Sequence, residues 1–401
     1  MFDRAVEAAD PMRCVAEHLP DRPERLLVIG AGKASARMAE AVEAAWGPCE
    51  GLVITRYGYA RPCKGIDIVE ASHPVPDEAG ANATGRMLNL VRRMGEGDTV
   101  LALISGGASS LLCAPRAGLS LGHKQAIGAD LLASGAPIGQ MNTVRKHLSE
   151  VKGGQLAAAA YPARLLCLMI SDVPGDDPAD IGSGPTVAEA TCPADAAAIM
   201  ARLGLSVPDC LSEPQKVIAP DDPRLSTTEN RVISAPAQSL AAAAKLAEGI
   251  DIHLLGDALE GEARTVAAEH AEHARQMQAG LNRPAILLSG GELTVTRTGT
   301  GVGGPNAEYA LALALALDGA AGIHAIACDT DGVDGAAEVA GALIGPNTLT
   351  GTDQAARDAL ADNDAHSYFA TVGAQVVTGP TLTNVNDFRA ILIQPPDHLN
   401  A

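Results

Sequence analysis

Short unbroken apolar runs alternate with alanine-rich segments of helical period along most of this chain. LLVI at 26–29, VLALI at 100–104 and LLCLMI at 165–170 are typical of the runs, and SARMAEAVEAAW at 35–46 is typical of the segments between them. Strands buried on both faces read as continuous apolar runs, and strand–helix alternation argues for parallel sheets covered by helices. Further strands are expected at 52–55, 66–70, 232–235, 252–255, 285–288, 324–327 and 390–393. Helices are expected at 34–46, 79–94, 141–151, 238–248, 261–278 and 307–317. The stretch Val207–Glu229, with Pro208, Pro214, Pro220 and Pro223, interrupts the alternation. It divides the 401 residues into domains expected at 1–229 and 230–401.

Composition then excludes several classes of function. Aromatic residues are only 2% of the chain, too few for a stacking platform. The formal charge of −19 repels phosphate backbones and anionic lipids, so neither nucleic acid nor membrane is an expected partner. No stretch is long enough to span a bilayer and the N-terminal segment lacks an apolar signal core, so a cytoplasmic protein is expected. The eight cysteines form no CxxC pair and several lie in apolar runs, which predicts reduced, buried thiols.

Several stretches carry chemistry. Gly30-Ala31-Gly32-Lys33 follows a strand and opens a helix, where glycine turns and free amides suit an anion and Lys33 adds a full charge. Ser105, Gly106, Gly107, Ser109 and Ser110 follow another strand and could wrap a phosphate with amides and hydroxyls. In MNTVRKHLSEVKGG, Arg145, Ser149 and Lys152 share a face if the segment is one helix, and Arg145 and Lys146 are candidates to hold anionic substrate groups. His73, between a strand and a proline turn, is a further substrate-binding candidate. Asp172 and Asp176 stand at the carboxyl end of a strand, where open α/β sheets bind ligands. Carboxylates so placed suit Mg²⁺ or accept a proton from a substrate hydroxyl. In the second half, Gly290, Gly291 and Glu292 follow one strand, and Asp329 and Asp331 follow another.

Taken in order, GAGKA, SHPVPD, SGGASSLL, MNTVRKHLSEVKGG, SDVPGD with GSGPT, SGGE, and TDGVDG with TNVND resemble the class II glycerate 2-kinases. The motifs run from about residue 26 to 390. The resemblance implies a Rossmann-like α/β/α N-terminal domain, a smaller α/β C-terminal domain of MOFRL type, and an active site in the cleft. It implies phosphoryl transfer from ATP with Mg²⁺ to the 2-hydroxyl of D-glycerate, with Lys33 as the key catalytic lysine. On that basis Asp172, Asp176 and Asp331 join Lys33 as catalytic candidates. Asp172, Asp176, Glu292 and Asp329 are metal candidates, and the Gly and Ser residues of the three loops face the nucleotide. The partners are then a small hydroxy acid and a nucleotide, with a homodimer admitted as an assembly. Some relatives carry the name hydroxypyruvate reductase, and an NAD(P)H-dependent reductase is the alternative reading. It requires a third glycine two residues after Gly32, where Ser35 stands instead. Two departures from the family pattern stand out. GVGGPNAE at 301–308 lacks the Arg or Gln common in relatives, and Leu382 replaces a glycine.

Overall fold

The computed structural model describes residues 1–214 and 216–396. It divides into two compact units, Pro11–Ser234 and a second made of Met1–Asp10 with Ala235–Ala401. The division thus falls five residues beyond the expected one. Thr228–Ser234 is a strand of the first sheet, so the chain leaves the first unit only where that strand ends. The N-terminal helix Phe2–Ala8 was not assigned to the second unit from sequence. Its apolar face supplies Phe2, whose ring packs edge-on against Phe388 at 5.8 Å.

The first unit is built on six parallel strands: β1 (Leu26–Ala31), β2 (Gly51–Arg56), β3 (Ile66–Ala71), β4 (Thr99–Ile104), β5 (Arg164–Ile170) and β6 (Thr228–Ser234). Their order across the sheet is β3-β2-β1-β4-β5-β6. This is the doubly wound order, in which the chain reverses direction of travel between β1 and β4 and opens a crevice at their carboxyl ends. Leu27, Ile29, Leu52, Ile54, Val100, Ala102 and Leu165 point from the strands into a core with Met87, Leu111 and Leu156.

The second unit holds a mixed sheet rather than the parallel one expected. Its strands are β7 (Asp251–Gly256), β9 (Ala285–Ser289), β11 (Ile323–Asp329), β12 (Gly341–Ile344), β13 (Gln375–Val376) and β14 (Asp387–Ile393), ordered β13-β12-β11-β14-β9-β7. Only β7 and β9 run parallel; the other pairs are antiparallel. An apolar run reports burial and not direction, which explains the difference. A separate two-stranded piece joins β8 (Gly261–Glu262) to β10 (Leu293–Thr294). The helix Pro305–Leu317 lies in the core of this unit, apolar almost all round. Pro305 sits in its first turn, where a missing N–H costs nothing, so the family departure at this position suits a helix start.

All eight cysteines are free, and six are buried. Among the described residues no helix is long and apolar enough to cross a membrane.

Candidate functional site

The turn after β1 is closed from within. Lys33 N–H donates to the Gly106 carbonyl at 2.8 Å, Ala34 N–H to Ser105 Oγ at 3.0 Å and Ser35 N–H to the Gly32 carbonyl at 3.2 Å. The three amides expected to meet an anion therefore have protein acceptors already. Ser105 is fully buried and also contacts Ser35 Oγ at 3.2 Å, so it knits β1 to β4 instead of facing a nucleotide. Gly32, at φ +137°, has no room for a side chain: a Cβ would stand 2.1 Å from Ser105 Oγ. Gly30 is packed equally tightly against the Leu103 carbonyl. Gly30, Gly32 and Ser105 thus pack β1 closely against β4 at the base of the Lys33 turn.

Lys33 itself is half-buried. A Cβ on Gly107 would meet His73 Nε2 at 3.0 Å and Lys33 Cγ at 3.3 Å. Three separate motifs therefore converge: the lysine after β1, the histidine after β3 and the glycine after β4. Gly107 has φ +81° and its lack of a side chain lets the imidazole and the lysine stem close over it.

Beside this convergence lies a pocket of about 590 Å³. His73, Gly107, Ser109 and Ser110 line it on one side and Lys124, Arg145 and Lys152 on another. Ser109 Oγ meets Ser183 Oγ at 2.8 Å, Ser183 Oγ donates to Asn142 Oδ1 at 3.2 Å, and Asn142 Nδ2 donates to Asp180 Oδ1 at 3.1 Å. This chain fastens the serine loop to the acidic turn after β5.

The basic segment behaves differently from its sequence reading. The helix runs Ile138–His147 and stops. Ser149 Oγ accepts from Val151 N–H and Lys152 N–H, and this turn, not helical spacing, brings Lys152 back into the pocket beside Arg145. Lys146 is corrected from substrate contact to structural ion pair. Its ammonium donates to Glu189 Oε2 at 2.6 Å with both side chains buried. Lys124 was missed, because a lone lysine in the helix Leu121–Ala133 has no motif around it.

Asp172 and Asp176 both follow β5. Asp176 adopts a left-handed backbone at φ +55°, and its Oδ1 is buried with no hydrogen-bond partner. In the second unit, Asp331 is 1% exposed and its carboxylate accepts from Val333 N–H at 2.8 Å, so it holds the turn after β11. Asp329 Oδ1 accepts from Asp331 N–H in the same turn. Arg389 donates to the carbonyls of Gly290 and Gly291 and to Asp387 Oδ2 at 2.8 Å, which sets the loop after β9. Gly291 is pressed against Leu259 N, so Gly290 and Gly291 are packing residues here, and Glu292 is exposed. Among the described residues no group of three or more His, Cys, Asp or Glu side chains could hold a metal ion.

A six-stranded doubly wound sheet places a lysine, a histidine and a cationic pocket at its reversal point, where open α/β sheets bind ligands. A family model described as a domain of unknown function (DUF4147) matches residues 1–214, and the MOFRL family model matches residues 285–387. The chain belongs to the class II glycerate kinase family. It is 37% identical to the D-glycerate 2-kinase of Thermotoga maritima, over 96% of this chain and 94% of that one. It is 51% identical to an Agrobacterium vitis protein provisionally named hydroxypyruvate reductase, over 98% of this chain and 93% of that one. The crystal structure of the Thermotoga maritima glycerate kinase superposes with a TM-score of 0.86 at 36% identity, covering 98% of this chain and 97% of that one.

Proposed function

We propose that this chain is a glycerate 2-kinase, which transfers the γ-phosphoryl group of ATP to the 2-hydroxyl of D-glycerate. The observation that carries the reading is the approach of Lys33 and His73 to Gly107, a residue that with His73 lines the pocket. Phosphoryl transfer asks a protein for positioning and charge neutralisation more than for covalent chemistry. The 2-hydroxyl oxygen forms a bond to the γ-phosphorus as the bond to the β,γ-bridging oxygen breaks, and ADP leaves. Lys33 neutralises charge on the transferring group, and His73 orients the hydroxy acid. The hydroxyl proton passes to a carboxylate of the Asp172–Asp176 turn. Mg²⁺ keeps several non-protein ligands and needs only one or two carboxylates besides phosphates, which the buried, unpartnered Asp176 Oδ1 suits. When bound it supplies neutralisation of the phosphate oxygens.

The test is an assay of D-glycerate with ATP and Mg²⁺ in which the product is identified by the position of its phosphate. Formation of 2-phosphoglycerate is expected. Turnover of hydroxypyruvate with NAD(P)H, and none with ATP, would replace the kinase by the reductase.

A further inference from the structure

Two buried bases of this protein have acids: Lys146 has Glu189, and Arg389 has Asp387. Arg116, fully buried, has instead the carbonyls of His147 and Pro214. The pocket of the first unit gathers three cations, none of them with an acid among the described residues. Lys152 is 1% exposed, and its ammonium donates to the Leu112 carbonyl at 3.1 Å. Lys124 donates to the Leu148 carbonyl at 3.0 Å. Arg145 makes no hydrogen bond or ion pair to any described residue, and no described carboxylate pairs with any of the three. Burial pushes the Lys124 ammonium down to about 8 and Lys152 well below its ordinary value, and the cations repel one another. Uncompensated buried charge is costly, and Lys152 is buried while Lys124 and Arg145 are half-buried beside it, so an anion in this pocket would offset that cost.

We infer that Lys124, Arg145 and Lys152 form the subsite for the carboxylate of the acceptor acid, which would make them specificity residues for a 2-hydroxy acid. The inference rests on the kinase reading of Lys33 and His73. The geometry favours the acceptor over the nucleotide for two reasons. The carboxylate of a 2-hydroxy acid is one carbon from the reacting hydroxyl, and the triad shares its pocket with Gly107, over which Lys33 and His73 close. The remaining wall, including Ile127, Leu131 and Leu148, is mostly aliphatic and carries no Phe, Tyr or Trp to stack on a base. Arg145 offers a planar fork to the carboxylate, and the two ammonium groups serve as point charges.

The experiment uses the full chain and the variants Lys124→Met, Arg145→Met and Lys152→Met. Binding of D-glycerate is measured by calorimetry, with and without a non-hydrolysable ATP analogue, alongside KM for each substrate. Each variant is expected to weaken D-glycerate by about 10- to 100-fold, the worth of one charged hydrogen bond, with KM for ATP unchanged. Lys152→Met is expected to melt above the wild type without substrate, because it removes a buried charge of matching length. A purely structural lysine would melt lower. D-glycerate should raise the melting temperature of the wild type and not of the variant. A rise in KM for ATP with D-glycerate binding intact would overturn the assignment in favour of a nucleotide phosphate. Unchanged binding in the half-buried Arg145→Met overturns it even if Lys152→Met fails to fold. Wild type that binds D-glycerate without phosphorylating it would sink the kinase reading and leave the subsite standing.

Discussion

At the turn after β1, the proposed chemistry depends on one side chain, Lys33, which stands between close-packed glycines. Lys33→Ala is expected to lower kcat and kcat/KM together by about 10²–10³-fold, the worth of one preorganised charge contact. Lys33→Arg should not restore it, because a planar fork does not replace a compact ammonium. Steady-state kinetics with circular dichroism as a folding control check both. Retention of more than half the activity in a folded Lys33→Ala would remove Lys33 from the mechanism. Lys124 supplies a pH dependence. Burial holds its pKa at about 8, Arg145 pushes the same way, and Cys113 and Cys210 oppose. The group is cationic below that value and neutral above it, so KM for D-glycerate should rise as pH passes through about 8. The sign for stability is opposite. The unfolded chain binds this proton more tightly, so between about 8 and the ordinary lysine value the group's contribution to stability grows with pH. Melting curves of the substrate-free protein across that window measure it. Leu382, where relatives have glycine, has φ +63°, a conformation that costs a side-chain-bearing residue about 1–2 kcal/mol. Leu382→Gly is expected to stabilise the protein by about 1 kcal/mol in denaturant titration, the relieved strain being partly offset by glycine's freedom when unfolded.

At the scale of elements, the helix Pro305–Leu317 shows how a buried start is secured. Asp334, with no exposed surface, accepts from Asn306 N–H at 2.9 Å and Ala307 N–H at 2.8 Å and lies 3.0 Å from His366 Nε2. Asp334→Ala leaves those donors orphaned and should cost about 3–5 kcal/mol, read as a lower denaturation midpoint. All the expected apolar runs lie on strands, apart from Ala235 just past the end of β6, because a short apolar run is a strong local signal even where, as in β7, the strand is not buried on both faces. The short strands β8, β10, β12 and β13 carried no such signal, being two to four residues long. The helix expected at 141–151 was shifted for a related reason. Its periodic pattern continues past His147, but Gly153 and Gly154 both adopt positive φ, and the Ser149 turn has already ended the helix. Periodicity therefore put Arg145 and Lys152 on one face by a route the chain does not take.

At the scale of the whole molecule, the first ten residues belong with the last part of the chain. Phe2 is 5% exposed among Leu240, Ile286, Leu288 and Phe388. Phe2→Ala is expected to cost the second unit about 3–5 kcal/mol. The lone tryptophan, Trp46, ends a helix of the first unit, so its fluorescence follows that unit while circular dichroism follows both. The Phe2→Ala shift should appear in the dichroism and not in the Trp46 signal. What the sequence by itself determined was the class of the fold and the apolar strands with the Lys33 and His73 turns at their ends, since these follow from local pattern. Only the tertiary structure decided which of the small and charged residues are packed or paired inside the fold and which line the pocket. It turned Ser105, Gly30 and Gly32 inward to pack β1 on β4, gave Lys146 a buried partner, and left Lys124, Arg145 and Lys152 without one. Whether a charge is compensated depends on neighbours distant in sequence, and local pattern carries no record of them.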